Sequence, residues 1–236
     1  MAGYAVREIV QPIGGHRYRL RVLSDTQQFA DPDGHGERMG ISSAQWSLFG
    51  QLWPAGRLLA QAVNRWDIDG KRILELGCGI GLASLVLQRR GANVIASDNH
   101  PLAEVFLAYN AALNHLPALN YRQVNWHQSL PNLGQFDLIV ASDVLYERGQ
   151  AEVLNDVVQR HAASAAEVLI TDPGRGNSAR LSRLLGEQGF QVETVNCPMD
   201  DADPPPHRGR LYHYWRGTHR DGVLLQPETE QRATEA

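Results

Sequence analysis

From Lys71 onward the chain alternates short β-rich runs with helical stretches of roughly 10–15 residues, the pattern of β-α-β units on a parallel sheet. No other feature restricts the fold as strongly, because parallel strands need long crossovers between them. The spacing predicts strands over 72–76, 93–97, 121–124, 136–142 and 168–171, with helices near 81–90, 101–115, 148–163 and 178–188. Two further strand-like runs, 190–195 and 210–216, have no helix between them and therefore form an antiparallel pair at the sheet edge. The expected fold class is α/β: a doubly wound, Rossmann-like, mostly parallel seven-stranded sheet with an antiparallel last strand and an N-terminal extension.

The extension covers residues 1–40. Within it, residues 6–23 alternate in part around a turn at Pro12 and Gly14-Gly15 and read as a hairpin or edge ribbon, and Asp31-Pro32-Asp33-Gly34-His35-Gly36 is loop chemistry. Ser42-Ser43 can cap a helical stretch that runs, broken at Pro54, to about Trp66. The α/β domain spans 41–216, and the polar segment 217–236, which contains Pro227 and lacks periodicity, is expected to be a disordered tail.

Hydrophobic residues at 43% and charged residues at 20% exclude a wholly disordered or fibrous chain. A net charge of −4 without a basic block speaks against a nucleic-acid partner. Two cysteines, Cys78 and Cys197, do not make a disulfide framework. Arg7, Glu8 and Gln11 interrupt what a signal peptide would need, and no apolar run is long enough to span a bilayer. A cytoplasmic protein without a membrane partner is expected.

The first domain strand runs into Glu75-Leu76-Gly77-Cys78-Gly79-Ile80-Gly81, with a helix directly after it. Glycines at i, i+2 and i+4 let the backbone turn sharply against a ligand, and the helix start offers free amides. Asp98 ends the next strand, 17 residues past Gly81, where a carboxylate can accept from both hydroxyls of a ribose; Asn99 stands beside it. Together they describe an adenosyl site at the carboxyl end of the sheet. A dinucleotide fingerprint needs its third glycine at position 82, which is Leu82. Glu75 can meet the ammonium of an amino-acid moiety or brace the loop, so the turn favours S-adenosylmethionine over NAD.

On these residues the chain resembles the class I, seven-stranded S-adenosylmethionine-dependent methyltransferases over about 41–216. The resemblance implies strand order 3-2-1-4-5-7-6 and S-adenosyl-L-methionine as cofactor. Trp53-Pro54-Ala55-Gly56, Asp143-Val144-Leu145-Tyr146 and Asp172-Pro173-Gly174-Arg175 are similar to motifs of the family-16 lysine methyltransferases. The first and last together are most similar to the branch acting on the electron-transfer-flavoprotein β-subunit. The resemblance implies Asp143 and Tyr146 as acceptor-side residues and Trp53 near the cofactor, and a protein lysine as acceptor, with a small-molecule N- or O-methyltransferase as the alternative. Asn125-Trp126 follows the third domain strand, where the family commonly has an acidic residue and a Trp near the adenine; an amide at Asn125 can still accept from the adenine amino group.

Each motif also has a purely structural reading: Trp53 as core, Asp143 as a helix cap, Tyr146 as a packed aromatic and 172–175 as a turn. No metal-ligand or hydrolase motif is present, and the nine histidines are scattered. Asp203-Pro204-Pro205-Pro206 resembles the D-P-P-Y loop of DNA amino-methyltransferases, but lacks its aromatic and falls between the last two strands.

Overall fold

Ile73, Leu74 and Leu76 are fully buried, as a strand in the middle of a sheet covered on both faces must be. The computed structural model describes residues 4–25, 34–38, 40–42, 45–128, 132–174, 176–198 and 208–217. Ser43, Arg175, the 203–206 run, Asp31 to Asp33 and the tail from 218 on lie outside them.

In chain order the elements are β1 (Val6–Ile13), β2 (His16–Leu23), α1 (His35–Arg38), a 3-10 turn (Leu48–Gly50), α2 (Pro54–Arg65), β3 (Arg72–Leu76), α3 (Leu82–Arg89), β4 (Asn93–Asp98) and α4 (Ala103–Leu113). There follow β5 (Asn120–Gln123), β6 (Phe136–Ser142), α5 (Gln150–His161), β7 (Ala162–Asp172), α6 (Ser178–Glu187), β8 (Gln191–Pro198) and β9 (Arg208–Arg216). The seven-stranded sheet runs β5-β4-β3-β6-β7-β9-β8, parallel through β7, with β9 antiparallel to both β7 and β8. Counted from β3, this is the order 3-2-1-4-5-7-6 that the resemblance implies.

Strand parity sorts the core into two layers. Ile73, Leu138, Val140 and Leu169 pack with Leu59, Val63 and Leu85 of α2 and α3, while Leu74, Ile139, Val168 and Ile170 pack with Leu154, Val158, Leu181 and Leu185 of α5 and α6. The first layer also takes Tyr18, Leu20 and Leu23 of β2, all at 0% exposure. Each such side chain stabilises by about 1.5–3 kcal/mol when buried, which is enough to hold against the domain a two-stranded hairpin that is marginal alone.

Three local expectations change. Pro12 lies inside β1 and not in the turn; Gly14 and Gly15, both at positive φ, make a two-residue turn, and Pro12 is accommodated because β1 is an edge strand. The helical stretch expected from Ser42 to Pro54 is not found among the described residues: residues 45–50 form turns, with Gly50 pressed against Leu23, and Pro54 begins a new helix at its first position. β7 begins at Ala162, earlier than the 168–171 run, since the sheet recruits an Ala-rich segment of high helix propensity across a register irregularity opposite β6.

Candidate active site

β3 ends in the middle of the sheet, and the chain must turn there into α3. Gly77, Gly79 and Gly81 make that turn at φ 67°, 53° and 87°. At Gly79 the available space also demands glycine, and at Gly81 a side chain would have to displace Leu107. A Cβ on Gly79 would stand 2.7 Å from the Phe49 carbonyl oxygen, and one on Gly81 2.2 Å from Leu107 Cδ1. Across to β4, the Cys78 N–H donates to the Ser97 carbonyl at 2.9 Å. Burial, with Asp98 and Glu75 nearby, holds the Cys78 thiol well above its usual range, so it contributes shape and not a thiolate.

Asp98 closes β4 and is already at work inside the turn: its Oδ2 accepts the Gly79 N–H and its Oδ1 the His100 N–H, each at 2.8 Å. Burial pushes this carboxyl up, and the backbone donors His100, Gly79 and Asn99 pull it back. With three backbone donors the carboxylate still keeps a lone-pair site for a ligand. Glu75, 3% exposed, accepts from the Ser84 hydroxyl in the first turn of α3, and burial pushes its pKa up to about 7.

After β5 the Asn125 Oδ1 accepts the His127 N–H at 3.0 Å, so this amide shapes its own loop. The Trp126 ring lies over Gly77, 3.7 Å from where a Cβ there would be, and its Nε1 is buried with no hydrogen-bond partner among the described residues. On the opposite side the 45–53 segment forms a roof. Phe49 stacks on His100 with centroids 3.8 Å apart, Trp46 leans on the same ring at 4.4 Å, and the Trp53 indole donates to the Leu48 carbonyl at 2.8 Å.

β6 delivers Ser142 and then Asp143, which sits in the left-handed region at φ 52° with its N–H on the Thr171 carbonyl at 2.8 Å. Val144 and Leu145 are buried, while Tyr146 is 41% exposed and hydrogen-bonds Gln150; burial raises its hydroxyl pKa. α5 is capped by Gly149, so Asp143 is not its N-cap. Gln45 on the roof donates to the Glu147 carboxylate and spans the mouth between the two sides.

These walls enclose a cavity of about 710 Å³. Trp53, Glu75, Gly77, Cys78, Gly79 and Asp98 line it, as do Asn99, Asn125, Trp126, Asp143 and Tyr146. Gly81 is outside the lining and acts through the turn. Asp172 is outside it too: its Oδ1 accepts the Gly174 N–H at 2.6 Å, a local turn.

Residues 41–180, more than half of the chain, match the family described as lysine methyltransferase. The chain belongs to that family. It is 34% identical over 168 residues to the electron transfer flavoprotein beta subunit lysine methyltransferase of Rattus norvegicus, covering 66% of this chain and 60% of that one. To the histone-arginine methyltransferase METTL23 of Homo sapiens it is 36% identical over 161 residues, 64% of this chain and 84% of that one. Among solved structures, magnesium protoporphyrin IX methyltransferase from Synechocystis PCC 6803 with bound SAM shares the fold at TM-score 0.55 and 16% identity, covering 80% and 92% of the two chains. The chain spans between half and two thirds of the length of the flavoprotein-subunit relatives it matches.

The span matched to the lysine methyltransferase family holds the glycine turn, Asp98 and the Asp143–Tyr146 element; the hairpin and β9 lie beyond it. Sequence reading missed Ser84, Phe49 and His100. A serine in the first turn of a helix and a histidine after a strand carry no signal until the tertiary contacts are seen.

Proposed function

We propose that the chain is an S-adenosylmethionine-dependent methyltransferase that modifies a lysine amine of a protein substrate. The observation that carries the reading is that one cavity is lined both by the glycine turn with Asp98 and by Asp143 and Tyr146. The lining fits the cofactor: the buried Trp126 Nε1 needs an acceptor, the turn admits no Cβ at Gly79, and Asp98 and Glu75 offer acceptors for hydroxyl and ammonium donors. When bound, S-adenosylmethionine supplies an electrophilic methyl group.

The chain's part is positioning and exclusion of water. A lysine amine with an ordinary pKa near 10.4 is neutral in only about one molecule in 10³–10⁴ at pH 7, a cost of roughly 4–5 kcal/mol. A carboxylate alone stabilises the ammonium and raises that cost. Asp143 therefore captures and orients the incoming amine, the half-exposed Tyr146 narrows the passage, and the proton leaves to water.

The test is transfer of labelled methyl from S-adenosylmethionine in a lysate lacking this chain, with and without its addition, followed by identification of the modified side chain. A discrete protein labelled on lysine supports the proposal; label on arginine or on a small molecule replaces the acceptor.

Two expectations concern the cofactor end. S-adenosylhomocysteine binds and NAD does not, since Leu82 stands where a pyrophosphate turn needs its third glycine; calorimetry showing NAD to bind the tighter would remove the assignment. The second is a pH dependence. Glu75, at about 7 in the folded chain against a reference of 4.5, is largely protonated below neutrality, and a ligand ammonium set against it favours the ionised form. Affinity for S-adenosylhomocysteine therefore rises as pH climbs toward 7 and levels off above it. Glu75→Gln flattens that rise in calorimetry; an unchanged slope assigns it to another group.

A further inference from the structure

α4 carries the buried Asn110 and is followed at its C-cap, one turn on, by the buried Asn114, at 0% and 6% exposure. Their side-chain amides do for β2 what a neighbouring strand would do. Asn110 Oδ1 accepts the Arg21 N–H at 2.7 Å and its Nδ2 reaches the Arg21 carbonyl at 3.3 Å; Asn114 Oδ1 accepts the Arg19 N–H at 2.9 Å and its Nδ2 donates to the Arg19 carbonyl at 2.7 Å. The spacing fits, because four residues of helix rise about 6 Å. Two residues of strand rise about 6.8 Å.

Asn110 Nδ2 also donates, at 2.9 Å, to the Ile80 carbonyl, which lies in the glycine turn between Gly79 and Gly81, whereas the second bond of Asn114 Nδ2 goes back along the chain to the Asn110 carbonyl at 2.7 Å. From the same helix Leu107 fills the space beside Gly81. The hairpin meets the cavity wall a second time through the roof. Gln51 donates to the Leu23 carbonyl at 3.2 Å, Leu23 packs against Gly50, and the Trp46 indole donates to the Tyr4 hydroxyl at 2.7 Å. A buried primary amide is costly unless satisfied, and a pair of leucines would have packed α4 against β2 without that demand.

We propose that Asn110 is a positioning residue for the cofactor: its amide holds the glycine turn and the N-terminal hairpin in one hydrogen-bonded set, so that docking of the hairpin and binding of cofactor stabilise each other. The proposal rests on the cofactor reading above. Removing the amide leaves the Ile80 carbonyl and the Arg21 N–H unsatisfied in the core and frees the turn to relax away from the conformation that receives a ligand. Linkage makes the effect reciprocal, so ligand in the cavity must in turn hold β2 in place.

The experiment pairs calorimetry with amide hydrogen exchange on the full chain, using S-adenosylhomocysteine as probe. In the wild type, saturating probe slows exchange of the Arg21 amide by roughly tenfold, within the usual range of coupling between sites. Asn110→Ala lowers affinity for the probe by roughly tenfold or more and abolishes that slowing. Asn114→Ala, which frees the Arg19 pair and the Asn110 carbonyl but leaves the Ile80 carbonyl its donor, speeds hairpin exchange and leaves affinity within about twofold. A folded Asn110→Ala that binds like the wild type overturns the inference alone. So does an Arg21 amide in the wild type that ignores the probe, a measurement that needs no variant. Failure of the wild type to bind the probe overturns the cofactor reading and this inference with it.

Discussion

Asp143→Asn is expected to leave cofactor affinity within about twofold and to lower turnover at least about tenfold, roughly 1.4 kcal/mol of transition-state stabilisation. The substitution is clean because of the backbone. Asp143 sits at φ 52°, where asparagine is at least as comfortable as aspartate, and the Asp143 N–H to Thr171 hydrogen bond is made by the main chain. Nor is a helix cap lost, since Gly149 occupies that position. What changes is charge at the cavity wall beside Tyr146. Steady-state rates on the acceptor found by labelling decide the matter: wild-type turnover would remove Asp143 from the acceptor side and leave a methyltransferase of unspecified acceptor.

Asp98→Ala is expected to weaken S-adenosylhomocysteine binding by about 1.5–3 kcal/mol, the scale of hydrogen bonds to a charged group. Folding is affected as well, because Asp98 also receives the Gly79 and His100 N–H groups and the alanine leaves both without their acceptor. Asp98→Asn separates the two effects: it retains one acceptor oxygen for the loop while removing the charge and half of the ligand's acceptors. Calorimetry and thermal melts on both variants should show affinity lost in each and stability lost chiefly in the alanine. Wild-type affinity in Asp98→Asn would confine Asp98 to bracing the turn.

The sheet was legible because its information is local and periodic: β-rich runs, crossover helices and a glycine turn whose positive φ values few other residues tolerate. Asp98 was legible by its place at the end of the next strand. What the sequence hid is tertiary. Nothing near Ser84 says that Glu75 will be buried against it, and nothing in 45–53 says that Phe49 will stack on His100. The Ala162–Ala166 stretch was misread because its intrinsic preference is overridden by pairing with β6 and β9. Nothing local marks Asn110 or Asn114, for their partner is a strand some ninety residues earlier.

That arrangement also decides how the molecule behaves in a crowd. A two-stranded ribbon usually offers two open flanks to any extended chain that drifts by. Here β2 is bonded on one flank to β1 and on the other to the amides of α4, so the ribbon terminates on a helix and cannot be extended from that side. The remaining flank belongs to β1, where Pro12 has no N–H to offer and Arg7 and Glu8 bring charge. Two side-chain amides thus act as a stop codon for sheet growth, and a chain deprived of them would carry a sticky strand on its surface.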